Sequence, residues 1–351
     1  MDKRIRILYT IPNFKTAGSQ YVLLSLFRKI DKTAFDPYIC IEKFPETVPN
    51  DISEKKCLVF KWTDHKFNNT LNFRKLLKNH EIDIVHSWDY KSNYFEALAC
   101  RIAGVKYLYT KKNNAWSKRW KLKSMLANHI AYDNPEMKSH FFSSLLFQNK
   151  ISFIPHGVDT SIFKPLEQSI RITFNIACIG NIGDNKNQLF IVKSLKDLPS
   201  DIHLYLYGND ERTYREKLNE YINSNFLANR VHFKGVVANN DIPTVYKNID
   251  LFVLPSFQEG LPVSILEALA CGVPVLSSDS GGGARFLLKK GGGILFDLED
   301  PIGFTEHLKR LYQNPEERIT LSSEGRKNVV ANFTLRKEVV AYQELYASFK
   351  K

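Results

Sequence analysis

The chain has 351 residues, 44% of them hydrophobic and 25% charged, with 49 basic against 37 acidic side chains and a formal net charge of +12. That length predicts two domains or one large one, and the balance is that of an ordinary soluble globular protein. Five scattered cysteines, never paired as C-x-x-C, argue against a disulfide framework or a zinc site; no apolar run approaches the roughly 18 residues of a spanning helix, and the opening MDKRIRILYT lacks a leader's apolar stretch, so the chain is expected to be made and kept in the cytosol.

In chain order, IRILYTI (5–11) reads as a buried strand, YVLLSLFRKI (21–30) as a helix and YICIEKF (38–44) as a strand. TLNFRKLLKNH is helical, IDIVHSW (82–88) a strand, SNYFEALACRIAG a helix stopped by Gly104, and VKYLYT a strand. The stretch KKNNAWSKRWKLKSMLANHI mixes Trp116, Trp120 and Leu122 with Lys118, Arg119, Lys121 and Lys123, the pattern of an interfacial helix on anionic lipid or of a solvated helix with aromatics in the core. The alternation then restarts. ITFNIACIG (172–180), IHLYLYG (202–208), VHFKG, DLFVLPS and PVLSSD read as strands, with helices at NQLFIVKSL, ERTYREKLNEYINS, DIPTVYKNI and PVSILEALACG between them. The expected fold is α/β, with two Rossmann-like parallel-sheet domains over residues 1–165 and 166–335. A last helix, 336–351, returns to the first domain. Open sheets of this kind take their ligands at the strands' carboxyl ends, so a cleft between the domains is expected.

Charge is unevenly spread. Residues 1–170 hold 27 basic and 16 acidic side chains, the remainder 22 and 21. Arg101 to Lys123 holds eight basic residues and no acid. Such asymmetry suggests an anionic partner for the first half. Nucleic acid is disfavoured because no nucleic-acid module is present.

In PSFQEGLPVSILEALACGVPV (255–275), Glu259 falls on the loop after a strand and Glu267 lies about a turn and a half into the next helix. Ionised carboxylates withdrawn from water need partners. Between them lies a helix N-terminus with backbone N–H groups from Gly260, Leu261 and Val263, a seat for phosphate, and Gly260 lets a ligand approach closely. Glu267 is placed to accept ribose hydroxyls, Glu259 sugar hydroxyls, and the helix end a diphosphate. A nucleotide-sugar has these parts in this order.

The full string resembles the E-x7-E signature of the GT-B retaining glycosyltransferases of family 4 (GT4, glycosyl transferases group 1). IPHGVDTSIFKP (154–165), IGNIGDNKNQLFIVKSL (179–195), VHFKGVV and DLFVLPS are similar to that family's motifs in order and spacing. The resemblance implies a GT-B fold with an acceptor-binding first domain and a nucleotide-sugar-binding second domain. It implies that Lys186 neutralises the donor diphosphate, that Glu267 binds ribose, and that Glu259 faces the donor sugar. It also puts Gly18, in KTAGSQ, on a loop approaching the diphosphate. His86, at a strand's carboxyl edge, is a candidate for a place near the anomeric carbon, or a structural histidine. Gly281, Gly282 and Gly283 offer backbone N–H groups or form a plain turn.

The chain also departs from the pattern. Asn181 stands where the family usually has Arg, removing a bidentate phosphate contact. AGSQ replaces GGxE, Trp88 stands where His is frequent, and Arg285 where an acid is common. Arg285 is therefore expected to compensate for Asn181. No D-x-D triplet is present, which argues for a metal-independent transferase with no cofactor beyond its co-substrate. The resemblance implies retaining transfer from a nucleotide-sugar, UDP-linked by family frequency, to a glycan or lipid-linked acceptor in cell-surface polysaccharide synthesis. The expected place is the cytoplasm, peripheral on the membrane through Arg101–Lys123. Two readings compete with it: a catalytically weakened GT-B-like partner or binding subunit of another glycosyltransferase, and a nucleotide-sugar epimerase, which would need cleft acids not found here.

Overall fold

The computed structural model of the protein describes residues 3–14, 18–43, 48–88, 91, 93–167 and 172–350. By contacts the chain divides into two units, 1–155 with 336–351, and 156–335.

The first unit is built on strands β1 (Ile5–Thr10), β2 (Phe35–Ile41), β3 (Cys57–Val59), β4 (Ile84–Ser87), β5 (Lys106–Lys111), β6 (His129–Tyr132) and β7 (Ile151–Phe153). They form one parallel sheet in the order β3-β2-β1-β4-β5-β6-β7. Its helices are α1 (Gly18–Lys29), α2 (Lys66–Asn79), α3 (Phe95–Ala103), α4 (Lys118–Leu126), α5 (Glu136–Phe141) and α6 (Leu145–Gln148). Phe73 and Leu77 of α2, Ala99 and Cys100 of α3 and Trp120 of α4 bury a common core against Leu8, Val85, Tyr107 and Ile130 of the sheet.

The second unit holds β8 (Phe174–Ile179), β9 (Ile202–Tyr207), β10 (Val231–Gly235), β11 (Leu251–Leu254), β12 (Val275–Ser278) and β13 (Gly293–Phe296). This parallel sheet has the order β10-β9-β8-β11-β12-β13. Its helices are α7 (Gln188–Ser194), α8 (Arg212–Ser224), α9 (Ile242–Lys247), α10 (Val263–Ala270), α11 (Gly283–Leu288), α12 (Pro301–Gln313) and α13 (Pro315–Asn332). Two apolar cores cover the sheet, one around Ile176, Leu204 and Leu308, the other around Phe252, Ile265 and Leu287. Strand order reverses between β8 and β11, and at such a point loops diverge and leave room for a ligand.

The motif HGVD belongs to the second unit because a crossing stretch ties it there. The Val158 N–H donates to the Phe333 carbonyl, and the Leu335 N–H to that of Val158, both at 2.9 Å. A Cβ on Gly157 would lie 2.4 Å from the Thr334 oxygen, so only glycine fits. The final helix, α14 (Leu335–Ser348), lies with the first unit. The Tyr346 hydroxyl meets His86 Nδ1 at 2.7 Å, and the Gln343 side chain accepts from the Asp31 N–H at 2.8 Å.

Among the described residues, all five cysteines are buried and unpaired, and no helix is long and apolar enough to cross a membrane.

Candidate functional site

Three loops leave the carboxyl ends of adjacent strands β8, β11 and β12 and are laced together by backbone contacts. From the β8 loop, the Asn185 carbonyl accepts the Phe257 N–H at 2.9 Å and its side-chain amide donates to the Gln258 carbonyl at 3.0 Å. In the β11 loop, the Glu259 N–H donates to the Ser280 carbonyl of the β12 loop at 2.7 Å, and the Ser278 hydroxyl donates to the Ser256 carbonyl at 2.6 Å. A Cβ on Gly283 would lie 1.9 Å from the Gly260 carbonyl oxygen, so α11 starts against the β11 loop only because it starts with glycine.

This lacing positions the charged groups. Lys186 Nζ pairs with Glu259 Oε1 at 2.6 Å, both side chains largely buried. Gly180, at φ +144°, lets the Lys186 chain pass: a Cβ there would touch its Cε at 3.0 Å. Gln188 braces the same loop, donating to the Asn181 carbonyl at 3.1 Å and accepting the Gly183 N–H at 3.2 Å. The Asn181 side chain is exposed. Arg285 pairs with Asp279. Its guanidinium and Lys186 therefore each answer a carboxylate of the same loop cluster.

Glu267 differs from these. It is the fifth residue of α10, half-buried, near Tyr246 and Cys271, and no side-chain donor reaches its carboxyl group among the described residues. Burial pushes its pKa up to about 8. The carboxylate is partly withdrawn from water with no side-chain donor among the described residues in exchange. Pro262 is the residue just before α10 and Leu261 is buried, and the first N–H groups of the helix have no intrahelical partners.

Sequence reasoning missed the small polar residues that shape these loops. The Ser256 and Ser280 hydroxyls are buried with no partner among the described residues. Their signal was the run of Ser and Asp directly after strands. Gly281 and Gly282 have φ of +108° and +83°, conformations that favour glycine, so the triplet is shaped by backbone as well as by close approach.

The candidates of the first unit fare differently. His86 is fully buried on β4. Its Nδ1 meets the Tyr346 hydroxyl at 2.7 Å and its Nε2 the Thr110 hydroxyl at 2.8 Å, and Thr110 in turn meets Tyr342 at 2.9 Å. Burial, then the Lys112 charge, hold its pKa well below the usual imidazole range. Both nitrogens serve the packing of α14, which corrects the expectation of a histidine turned toward a reacting sugar. Trp88 is core too, with Lys112 Nζ 4.7 Å above its ring. Gly18 is exposed as the first residue of α1, and residues 15–17 of its loop lie outside the described residues.

The stretch from 111 to 130 is not one interfacial helix. It comprises the end of β5, a loop, α4 and the start of β6. Trp116 stacks on Phe141 at 5.0 Å, and Trp120 and Lys123 are buried. The aromatics therefore belong to the core, and α4 exposes Lys118, Arg119, Lys121, Leu122 and Met125.

Comparison with known proteins identifies the family and the fold. The family model for glycosyl transferases group 1 matches residues 172–328, and that for glycosyltransferase family 4 matches residues 16–162. A UDP-Gal:alpha-D-GlcNAc-diphosphoundecaprenol alpha-1,3-galactosyltransferase of Escherichia coli is 28% identical, over 94% of this chain and 93% of its own. An N,N'-diacetylbacillosaminyl-diphospho-undecaprenol alpha-1,3-N-acetylgalactosaminyltransferase of Campylobacter jejuni is 26% identical, over 73% of this chain and 74% of its own. Among solved structures, a glycosyltransferase from Rickettsia africae superposes with a TM-score of 0.85 at 17% identity, covering both chains fully. Anabaena HepE in complex with UDP and glucose superposes with a TM-score of 0.83 at 17% identity, over 98% of this chain and 100% of that one.

Proposed function

The chain belongs to the GT-B glycosyltransferases of family 4, and from that premise we propose that it moves a hexose from a UDP-sugar to a sugar on a lipid diphosphate carrier, with retention at the anomeric carbon. The observation that carries the donor half is Glu267, half-buried, without a side-chain donor among the described residues, and raised to about 8 by burial. Two vicinal ribose hydroxyls supply the donors it lacks. The diphosphate lies at the first turn of α10, where N–H groups and the helix dipole favour negative charge. Lys186 leaves Glu259 for the phosphate, which frees Glu259 to accept hydroxyls of the sugar. Their pairing keeps both charges satisfied until the donor arrives.

Transfer then needs no covalent intermediate on the protein. The bond from the anomeric carbon to the β-phosphate oxygen breaks, the acceptor hydroxyl attacks from the same face, and the departing phosphate takes its proton. Lys186 and the α10 N-terminus stabilise the charge that grows on that phosphate. Because the Lys186 cation and neutral backbone N–H dipoles do this, turnover should persist in EDTA. Support for the UDP and the lipid-linked acceptor comes from the galactosyltransferase relative, which spans nearly the whole chain. Acceptor choice is assigned to the first unit, where family motifs are sparsest.

Calorimetric titration with UDP-galactose, UDP-glucose and GDP-mannose, followed by nucleotide release in the presence of polyprenyl-diphosphate-linked acceptors, tests this. The expected result is tight UDP-sugar binding that Glu267→Gln weakens, together with acceptor-dependent UDP release. Absence of binding to every nucleotide-sugar would overturn the proposal. Binding without release on any acceptor would instead assign the chain as a donor-holding subunit, the reading that exposed Asn181 in place of an arginine favours.

A further inference from the structure

We propose that a cavity at the amino-terminal edge of the first sheet binds a nucleoside monophosphate. The cavity measures about 490 Å³, within the range of about 300–1,000 Å³ usual for small-molecule sites, and every residue lining it belongs to the first unit. It lies where β1, β4 and β5 begin and α2 and α3 end, at the edge of the sheet opposite the strands' carboxyl ends. The end of α3 leaves the room. The helix stops at Ala103, Gly104 turns the chain at φ +71°, and a Cβ built on Gly104 would meet nothing within 4 Å.

The apolar lining comes from the strand starts and the end of the chain. Ile82, Ile84 and Val105 are buried and Ile5 is half-buried. Tyr346 of α14 is buried beside them, and Phe349, just past that helix, is half-buried. Around this lining stand five cations, Lys3, Arg4, Lys78, Lys106 and Lys350, against two acids, Glu81 and Asp83. Both acids are already engaged. Glu81 accepts from Lys3 Nζ at 3.1 Å and from Arg6 at 3.0 Å, and Asp83 accepts the Arg6 N–H at 2.8 Å. Among the described residues, Arg4, Lys78 and Lys106 form no ion pair.

Helix carboxyl ends favour cations, which accounts for Lys78 in the last turn of α2. Arg4, Lys106 and Lys350 lie on other segments and are not accounted for in that way. Their convergence suits a dianionic head such as a phosphate monoester. The body attached to it must suit isoleucines and an aromatic ring, and it must also donate. The Lys106 N–H turns to the Asp83 carbonyl at 3.1 Å and the Tyr107 N–H to the Asn128 side chain at 2.9 Å, so neither reaches back to the Ile102 and Ala103 carbonyls that end α3. A nucleobase meets both conditions, stacking on Phe349 and donating from its amino group to a carbonyl of the α3 end. An alkyl phosphate would use the isoleucines and the cations but not the carbonyls, and a sugar phosphate would set its hydroxyls against isoleucine. This site is argued from the first unit alone and stands or falls separately from the sugar chemistry.

The test is calorimetric titration of the full chain with AMP in saturating UDP, with inorganic phosphate and octyl phosphate as comparisons. One AMP should bind per chain, more tightly than either comparison and less tightly as salt rises. Lys78→Glu with Lys106→Glu should lower AMP affinity about tenfold. Phe349→Ala should lower it about tenfold as well, by loss of a stacking ring, and leave inorganic phosphate binding as it was. Lys78 and Lys106 are exposed, so thermal unfolding and UDP-sugar binding should be unchanged in the double variant, which separates loss of this site from loss of the donor site. No AMP binding at millimolar concentration, AMP binding that saturating UDP abolishes, or octyl phosphate binding more tightly than AMP would overturn the proposal. So would AMP affinity indifferent to the charge reversal and to Phe349→Ala.

Discussion

His86 in the first unit and Glu267 in the second are both titratable groups withdrawn from water, and burial moves both toward their neutral forms. They differ in what surrounds them. Each imidazole nitrogen of His86 has a hydroxyl of its own chain at 2.7 or 2.8 Å, and the ring is fully enclosed. The Glu267 carboxyl group has no such donor among the described residues and keeps some contact with solvent. A shifted pKa marks both residues, and the difference lies in their partners: two hydroxyls on His86, and no side-chain donor on Glu267 among the described residues.

Substitutions should split along the same line. The largest effect is expected from His86→Ala, which opens a cavity in the first sheet and strips the Tyr346 and Thr110 hydroxyls of a partner. Urea unfolding should show a loss of about 3–5 kcal/mol, with UDP-sugar affinity unchanged in protein that remains folded. Lost turnover in a fully stable His86→Ala protein would break the comparison. Next, Glu267→Ala should leave stability unchanged or raised, and lower UDP-sugar affinity about a hundredfold by calorimetry, since two hydrogen bonds to a charged acceptor are lost. A smaller effect, about tenfold on the same affinity, is expected of Gly283→Ala. The new Cβ, 1.9 Å from the Gly260 oxygen, must push the β11 loop off its seat.

The two units were also unequally legible. In the second unit, the reading of Glu259, Glu267 and Lys186 as one cluster rested on a motif whose spacing is fixed by short loops. The structure shows why the spacing is tight, since the Asn185 and Ser280 carbonyls and the Asn185 and Ser278 side chains tie those loops to one another's backbone. In the first unit, β3, β6 and β7 are three or four residues long, too short to show a period, and β13 of the second unit escapes for the same reason. The lysines misled as well. Lys111 and Lys123 read as surface charge, yet both are buried. Lys111 stands 4.2 Å over the Trp120 ring and donates to the Ala115 carbonyl at 2.7 Å, and burial lowers its pKa to about 7. A lysine that finds an indole and three oxygens inside a protein looks, in sequence, like one that faces water.

The smallest expected effect is also the most discriminating, because the two buried groups should respond to pH with opposite signs. For Glu267 the folded pKa of about 8 exceeds the ordinary 4.5. Between those values the unfolded chain has released a proton that the folded chain keeps, so raising pH across this window disfavours folding, and the penalty is complete above about pH 8. His86 has its folded pKa depressed below 6.5. Below that value the unfolded chain takes up a proton that the folded chain refuses, so its penalty grows as pH falls. Glu267→Gln should therefore unfold at a higher temperature than wild type at pH 8 and at the same temperature near pH 4.5. His86→Asn, compared with wild type, should lose less at pH 5 than at pH 7. Binding sharpens the contrast. Ribose hydroxyls donate to the ionised Glu267, so UDP-sugar affinity should climb from pH 6 to about 8 and then level off, with a proton released on binding. A UDP-sugar diphosphate has no ionisation of its own in that range, and the slope should vanish in Glu267→Gln while surviving in His86→Asn. A flat wild-type profile would mean that Glu267 is already ionised before the donor binds, and the distinction between the two groups would then rest on geometry alone.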